Sequence, residues 1–312
     1  MNHSGNLVSR IAGGIGLGAF ALLSVPHPPL PENLHGTRNV PVPAVIRTVP
    51  ETDRTQPSPD SAVSERIRPG DPKWTAAQRM LQHKVELMQR GRAFLLTVPT
   101  YTARLSKQEV VKGELLPEQV MSLKCRHSPF SVYLLWLGGD AGREVIYVEG
   151  ANSGKLIAHD GGWKSRLPAF SLTPDSWLAM RDARYPVTAA GVVALIDIMD
   201  GIHADDLARA TVASCEQTAG QFDGRPCDTF TMQYKNRELS PTYRKSITMI
   251  DQEWHVPLST RHFEWPGPES TAPEDQLDDA TLVESYTFTN LTFHAPLTDR
   301  DFDSTNAEYQ FR

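Results

Sequence analysis

From Tyr101 to Trp163 apolar and polar residues alternate in short runs separated by turn residues. In the first run Tyr101, Ala103 and Leu105 alternate with Thr102, Arg104 and Ser106, and Lys112-Gly113 then reverses the chain. Met121, Leu123 and Cys125 repeat the period of two, which turns the Cys125 thiol inward. In the next run Phe130, Val132, Leu134 and Trp136 share one face, while Tyr133, Leu135 and Leu137 share the other. A period of two marks strands, and short turns set neighbouring strands antiparallel, so the segment reads as a meander. A strand apolar on both faces is covered on both. The expected covers are a helix on one side and either a second helix or a cavity for an apolar guest on the other.

Upstream, Asp71-Pro72 carries a helix-start signal, a capping acid followed by proline. Trp74, Ala77, Met80, Leu81, Met88 and Leu95 approximate a 3.6-residue stripe, with Lys84, Arg90 and Arg92 among the polar positions. The pattern predicts a helix to about Leu96, ended by Pro99. Residues 165–188 read as a loop with a short helical piece. Thr188 is placed to cap a second helix to about Met199, with Val192, Val193, Leu195, Ile196 and Met199 apolar. Strand patterns return at ATVASCEQ, CDTFTMQYK, RKSITMID, EWHVPLSTRHFEW and LVESYTFTNLTF, with a tight turn at Asp251-Gln252-Glu253. Residues 267–279 form an acidic surface loop. Strands followed by helix and more strands predict one α+β domain over residues 71–312.

The residues before this domain speak to compartment. Arg10 precedes an apolar run, residues 11–25, and Pro26 follows it. A basic start and an acid-free apolar run predict an export signal, hence a periplasmic or cell-envelope location. The run is shorter than the roughly 20 residues of a spanning helix, and its four glycines weaken it as a helix. Cleavage at Ala19-Phe20-Ala21 would release the chain, whereas an uncleaved run is a membrane anchor. The alternative is an apolar N-terminal helix of a cytosolic protein. Residues 26–70 hold ten prolines and few large apolar side chains. Such a segment cannot bury enough surface to offset its ordering entropy, and it reads as a disordered linker reaching about 35–40 Å.

Composition narrows the partners. The chain has 312 residues, 22% of them charged, and a formal net charge of -6 without a concentrated basic stretch. That excludes a face built to grip nucleic acid. Its cysteines are Cys125, Cys215 and Cys227. Cys215 and Cys227 flank a turn-rich segment, and an exported chain could bridge them if the turn centres near Gln221. If Asp223-Gly224 forms a two-residue turn instead, Cys215 falls opposite Met232 and no bridge forms without a bulge.

Catalytic signals are incomplete. His159-Asp160 is the prominent acid–base pair, yet adjacent strand residues point to opposite faces. His203 is a second catalytic candidate. Asp299, Asp301 and Asp303 open like a calcium loop, but Ser304 replaces the required glycine and Gln310 the closing acid. His255 and His262 lie at an odd offset in one expected strand, so they form no metal pair. Gly138–Gly142 lacks the Lys-Ser/Thr of a phosphate loop, and no serine sits in a nucleophile elbow. Arg181 and Arg184 could clamp an anion or be ordinary surface charges. No cofactor motif is present. The aromatic residues, Tyr286 and Phe288 among them, are expected mostly in the core, with some lining a pocket. The expected cavity residues are Phe130, Val132, Leu134, Trp136, Tyr147 and Trp163.

The run PTYTARLSKQEVVKGELLPEQVMSLKCRHSPFSVYLLWL, continued by AGREVIYVEGANSGKLIAHDGGW, resembles the bacterial domain-of-unknown-function family 1571. MRDARYPVTAAG and FTNLTFHAPLTDRDFDSTNAEYQF share the resemblance, which covers roughly residues 72–311. More distantly the layout is similar to LolA/LolB-like proteins of the bacterial envelope. That resemblance implies a curved antiparallel half-barrel covered by helices, whose cavity takes a lipid or lipoprotein acyl chain without catalysis. The proline-rich linker departs from soluble carriers and favours a tethered binder or sensor. Three functions follow as expectations: apolar-ligand binding, docking of another envelope protein, and a hydrolase-like activity using His159.

Overall fold

The protein is described by a computed structural model over residues 74–268, 270–273 and 276–311. The expected leader, linker and Asp71-Pro72 start signal lie outside these residues. Helix α1 spans Ala76–Thr97 and begins at a capping box. The Thr75 hydroxyl accepts from the Gln78 N–H, and the Gln78 side chain accepts from the Thr75 N–H, each at 3.1 Å. Leu81, Met88 and Leu95 form its buried stripe. Lys84, expected among the polar positions, is fully buried. Gly91 lets the helix lie directly on the chain at His255 and Val256, because a Cβ there would strike their backbone.

The strands are β1 (Thr100–Val111), β2 (Glu114–Leu115), β3 (Gln119–His127), β4 (Phe130–Trp136), β5 (Glu144–Val148), β6 (Leu156–His159) and β7 (Phe170–Leu172). Helix α2 (Val192–Arg209) follows. Then come β8 (Val212–Phe222), β9 (Arg225–Tyr234), β10 (Lys245–Asp251) and β11 (Pro257–Phe263), a short α3 (Leu277–Ala280), and β12 (Leu282–Phe293). Their order is β7-β6-β5-β4-β3-β1-β12-β11-β10-β9-β8, with β2 paired to β1. The result is an unclosed, curved, mostly antiparallel sheet with few helices, an α+β half-barrel. Pairing of β1 with β12 joins the two halves, placing Leu105 opposite both Phe288 and Met121. Helix α1 packs on β8 and on α2.

Several local expectations change. Strand β7 lies inside the expected loop. Its three residues are too few for a periodic signal, and pairing with β6 decides it. Thr188 sits in a 3₁₀ turn (Val187–Ala189) and does not cap α2. The helix starts after Gly191, whose φ of 97° no L side chain favours. The Tyr101 hydroxyl takes over the capping role by accepting from the Val192 N–H at 3.0 Å. The helix also runs past Met199 to Arg209, where acidic residues and Gly201 interrupt the apolar pattern. His255 precedes β11 in a turn at φ 56°, so it does not share a strand with His262.

The β8–β9 hairpin turns at Asp223-Gly224, both at positive φ. Cys215 therefore faces Met232, and Cys227 faces Gly220. All three cysteines are free, which follows the second of the two alternatives, the one tied to an Asp223-Gly224 turn.

Strand β4 is covered on both faces. Val132, Leu134 and Trp136 join the main core on the concave side. Tyr133 and, from β5, Ile146 pack with Phe302 and Tyr309 on the outer side. The outer cover is thus the C-terminal segment. The Tyr133 and Tyr309 rings stack at 4.2 Å, and the Gln310 N–H donates to Glu144 at 2.7 Å. Asp301 accepts from Lys124 at 2.7 Å, Asp299 pairs with Arg126 at 2.5 Å, and Asp303 accepts from Thr305. The three aspartates therefore fasten this segment and do not converge on an ion.

Candidate functional site

A cavity of about 250 Å³ lies between the concave face and the connection that runs from β7 to α2. The period of two builds its floor: Leu105 from β1, Met121 from β3, Leu134 and Trp136 from β4, and Leu156 and Ala158 from β6. Residues 174–191 and the first turns of α2 form its roof, with Leu178, Val187 and Leu195 facing inward. Trp136 is held by two contacts. Its indole N–H donates to Gln119 at 3.0 Å, and the Arg143 guanidinium lies 4.7 Å from its ring centroid.

Polar groups gather at two places on this apolar wall. The first is the mouth. Asp182 accepts from Arg181 at 2.8 Å and lies 3.7 Å from Arg143. Its side chain is 31% exposed and that of Arg181 45%. The hydrogen bond from Arg181 holds the Asp182 carboxyl below the ordinary range, against partial burial. Asp160 also lines this end.

The second is buried. On β12, Glu284 and Tyr286 continue the inward row of Phe288; on β1, Lys107 and Glu109 continue that of Leu105. Burial alone would raise the Glu284 pKa, but its partners outweigh this and hold it at about 2. His262, directly opposite in register, approaches Glu284 Oε1 with Nδ1 at 3.1 Å. An ionised carboxylate only accepts, so Nδ1 carries the proton. The Tyr243 hydroxyl donates to the same oxygen at 2.6 Å, and Arg184 Nε lies 3.1 Å from Oε2. Glu109 accepts from Lys107 at 2.7 Å and from the Tyr286 hydroxyl at 2.5 Å. The buried charges are matched within the chain, so this end needs no charged guest to satisfy it.

The expected cavity residues separate. Leu134 and Trp136 line the cavity. Val132 is buried in the core beside it. Phe130 and Tyr147 are half-buried and pack against each other at 6.1 Å between ring centroids. Trp163 is 82% exposed, since the segment carrying it leaves the sheet as a 3₁₀ turn (Gly162–Arg166). Tyr286 and Phe288 line the cavity, as do β7 and the 174–191 connection. The connection gave no periodic signal. The Glu284 group did leave one: an acid two and four residues from aromatics on a single inward row.

The catalytic candidates do not assemble. His159 is buried, its Nε2 3.1 Å from the Ser165 carbonyl, and its ring meets Phe311 on the outer side, while Asp160 faces the cavity. His203 lies in a separate buried cluster. Asp206 there accepts from Thr211 at 2.6 Å and from Tyr234 at 3.1 Å, with His203 Nδ1 at 3.4 Å. Burial and the nearby Lys84 push the His203 pKa down to about 4. Burial also brings Lys84 down to about 8 against the pull of Cys215 and Asp206. Arg181 and Arg184 each pair with an acid and do not converge on a common anion. Among the described residues no group of three or more His, Cys, Asp or Glu is placed to hold a metal. Nor is any described helix long and apolar enough to cross a membrane.

Solved structures with a similar chain course include the Mycobacterium tuberculosis lipoprotein LppX, 11% identical over 71% of this chain and 99% of that one, TM-score 0.40. The Pseudomonas aeruginosa MucA/MucB complex matches at 13% identity over 71% of this chain and 60% of that one, also at 0.40. A LolA superfamily protein from Nitrosomonas europaea matches at 11% over 74% and 98%, with a TM-score of 0.25. Likenesses at this level carry no functional argument. No curated protein matches the sequence. The model of the family described as "Protein of unknown function (DUF1571)" matches residues 98–311, more than half of the chain, and the protein belongs to that family.

Proposed function

We propose that this protein binds an apolar chain, of a lipid or a lipoprotein acyl group, in the half-barrel cavity, without catalysis. The observation that carries the reading is the cavity itself: an apolar wall whose charged ends are already neutralised by the protein's own groups. Such a space gains most by exchanging water for hydrocarbon.

The volume limits the guest. An apolar cavity of about 150 Å³ accommodates benzene, so about 250 Å³ accommodates about ten carbons. Burying ten methylenes yields about 8 kcal/mol before the costs of association. A longer chain leaves its remainder at the mouth beside Arg143 and Arg181. The N-terminal run supports export, with residues 26–70 as spacer between a leader or anchor and the domain.

Titration with a fluorescent medium-chain fatty acid tests the reading. Saturable binding that Ala158→Phe abolishes, with the fold intact by circular dichroism, supports it. Binding unaffected by that substitution, or none at all together with ligand-free protein in native mass spectrometry, overturns it.

A further inference from the structure

We propose that the rim of the cavity is a membrane-docking surface for anionic lipid headgroups. This rests on the acyl-binding reading, since it supplies the route by which a guest would leave a bilayer. Leu96, Leu137, Trp163, Leu167 and Trp177 are the large apolar side chains most exposed among the described residues. All but Leu96 belong to the connections around the mouth. Leu137 opens the β4–β5 loop, Trp163 and Leu167 lie between β6 and β7, and Trp177 lies between the lining residues Pro174 and Leu178.

These connections form one structure. The Gly162 N–H donates to the Ala141 carbonyl at 3.0 Å, and Gly161 sits so close to Asp140, Ala141 and Arg143 that a Cβ would strike them. Arg143 reaches Asp182 across the mouth. Trp163 and Trp177, 82% and 76% exposed, stand out from this base. Tryptophan beside lysine and arginine is the composition of a membrane–water interface.

Charge selects the lipid. The rim acids Asp140 and Asp182 are engaged by Arg143 and Arg181, and Asp160 acts on Arg181. Lys164 and Arg166 have no ion pair among the described residues, and the Lys164 ammonium lies 5.8 Å from the Trp163 ring centroid. Asp175 is the exposed acid near Trp177, so the rim as a whole balances, and its unpaired positive charge is confined to the short segment that carries Trp163, Lys164 and Arg166. A polar segment with two cations around an exposed indole fits a negative bilayer surface.

The test uses the full chain and vesicles of phosphatidylcholine with phosphatidylglycerol, some carrying brominated acyl chains. Indole emission should be quenched by the brominated vesicles, and the quenching should be largely lost in Trp163→Ser/Trp177→Ser. Lys164→Gln/Arg166→Gln should weaken binding several-fold at low salt and little at high salt. The local readout holds even if the N-terminal run also tethers the chain. The Trp double variant should keep fatty-acid binding in solution, whereas Ala158→Phe should keep quenching and lose the fatty acid. Quenching equal in wild type and the Trp double variant overturns the proposal. So does burial of the two indoles in a self-associated dimer that ignores vesicles.

Discussion

Arg184 Nε lies 3.1 Å from Glu284 Oε2, and both side chains are 2% exposed. Removing one member of a buried pair strands the other's charge, a larger effect than losing the pair as a whole. Glu284→Ala should therefore cost about 3–5 kcal/mol in urea unfolding. Replacing both residues by leucine or methionine should cost much less than the two single changes added together. Additive costs would show that the two residues act independently.

Acid stability should fall in two stages. The His203 pKa is 6.5 unfolded and about 4 folded, because burial disfavours its charged form. Between these values the unfolded state binds more protons, so stability is lost as pH falls through this window, by roughly 3 kcal/mol. Glu284 is depressed from 4.5 to about 2, so its contribution is full above 4.5 and disappears toward 2. His203→Gln should flatten only the upper slope of a stability–pH profile.

The start of α2 depends on a tyrosine hydroxyl. Tyr101→Phe leaves the buried Val192 N–H without its acceptor and should cost about 1–3 kcal/mol. Gly191→Ala should cost at least as much. A Cβ there would lie 2.5 Å from the same hydroxyl, on a backbone at φ 97°. Calorimetry would detect either loss, and an unchanged Tm in both would refute the capping arrangement.

Denatured, unreduced protein should titrate three thiols; a count of one would mean that Cys215 and Cys227 are bridged. In the folded state the reaction should be slow. Burial pushes Cys125 up to about 12 and Cys215 to about 11, leaving little thiolate near neutrality.

The strands were legible because a half-buried sheet writes its period into the chain, as Phe130, Val132, Leu134 and Trp136 show. The opposition of His159 and Asp160 followed from the same rule. Lys84 was not legible, because the β9 sulfur that its ammonium meets, Met232 Sδ at 3.5 Å, is 148 residues away, and a lysine on a helix reads as solvated until that strand is placed. Trp163 misled for a related reason: aromatic identity suggests a lining residue, while the 3₁₀ turn that carries it faces water. The Glu284 pairing could have been read from β12 alone as an acid on an inward row, but its partners come from three other segments.

Covering the outer face of β4 and β5 with the C-terminal segment also sets a schedule. Gln310 and Glu144, which it joins, are 166 residues apart in the chain. At about 5–20 residues per second of synthesis, Tyr133 and Ile146 emerge about ten to thirty seconds before Phe302 and Tyr309 exist to cover them. Throughout that interval the nascent sheet carries a bare apolar outer face, which makes it a natural client for a holding chaperone until the last residues arrive.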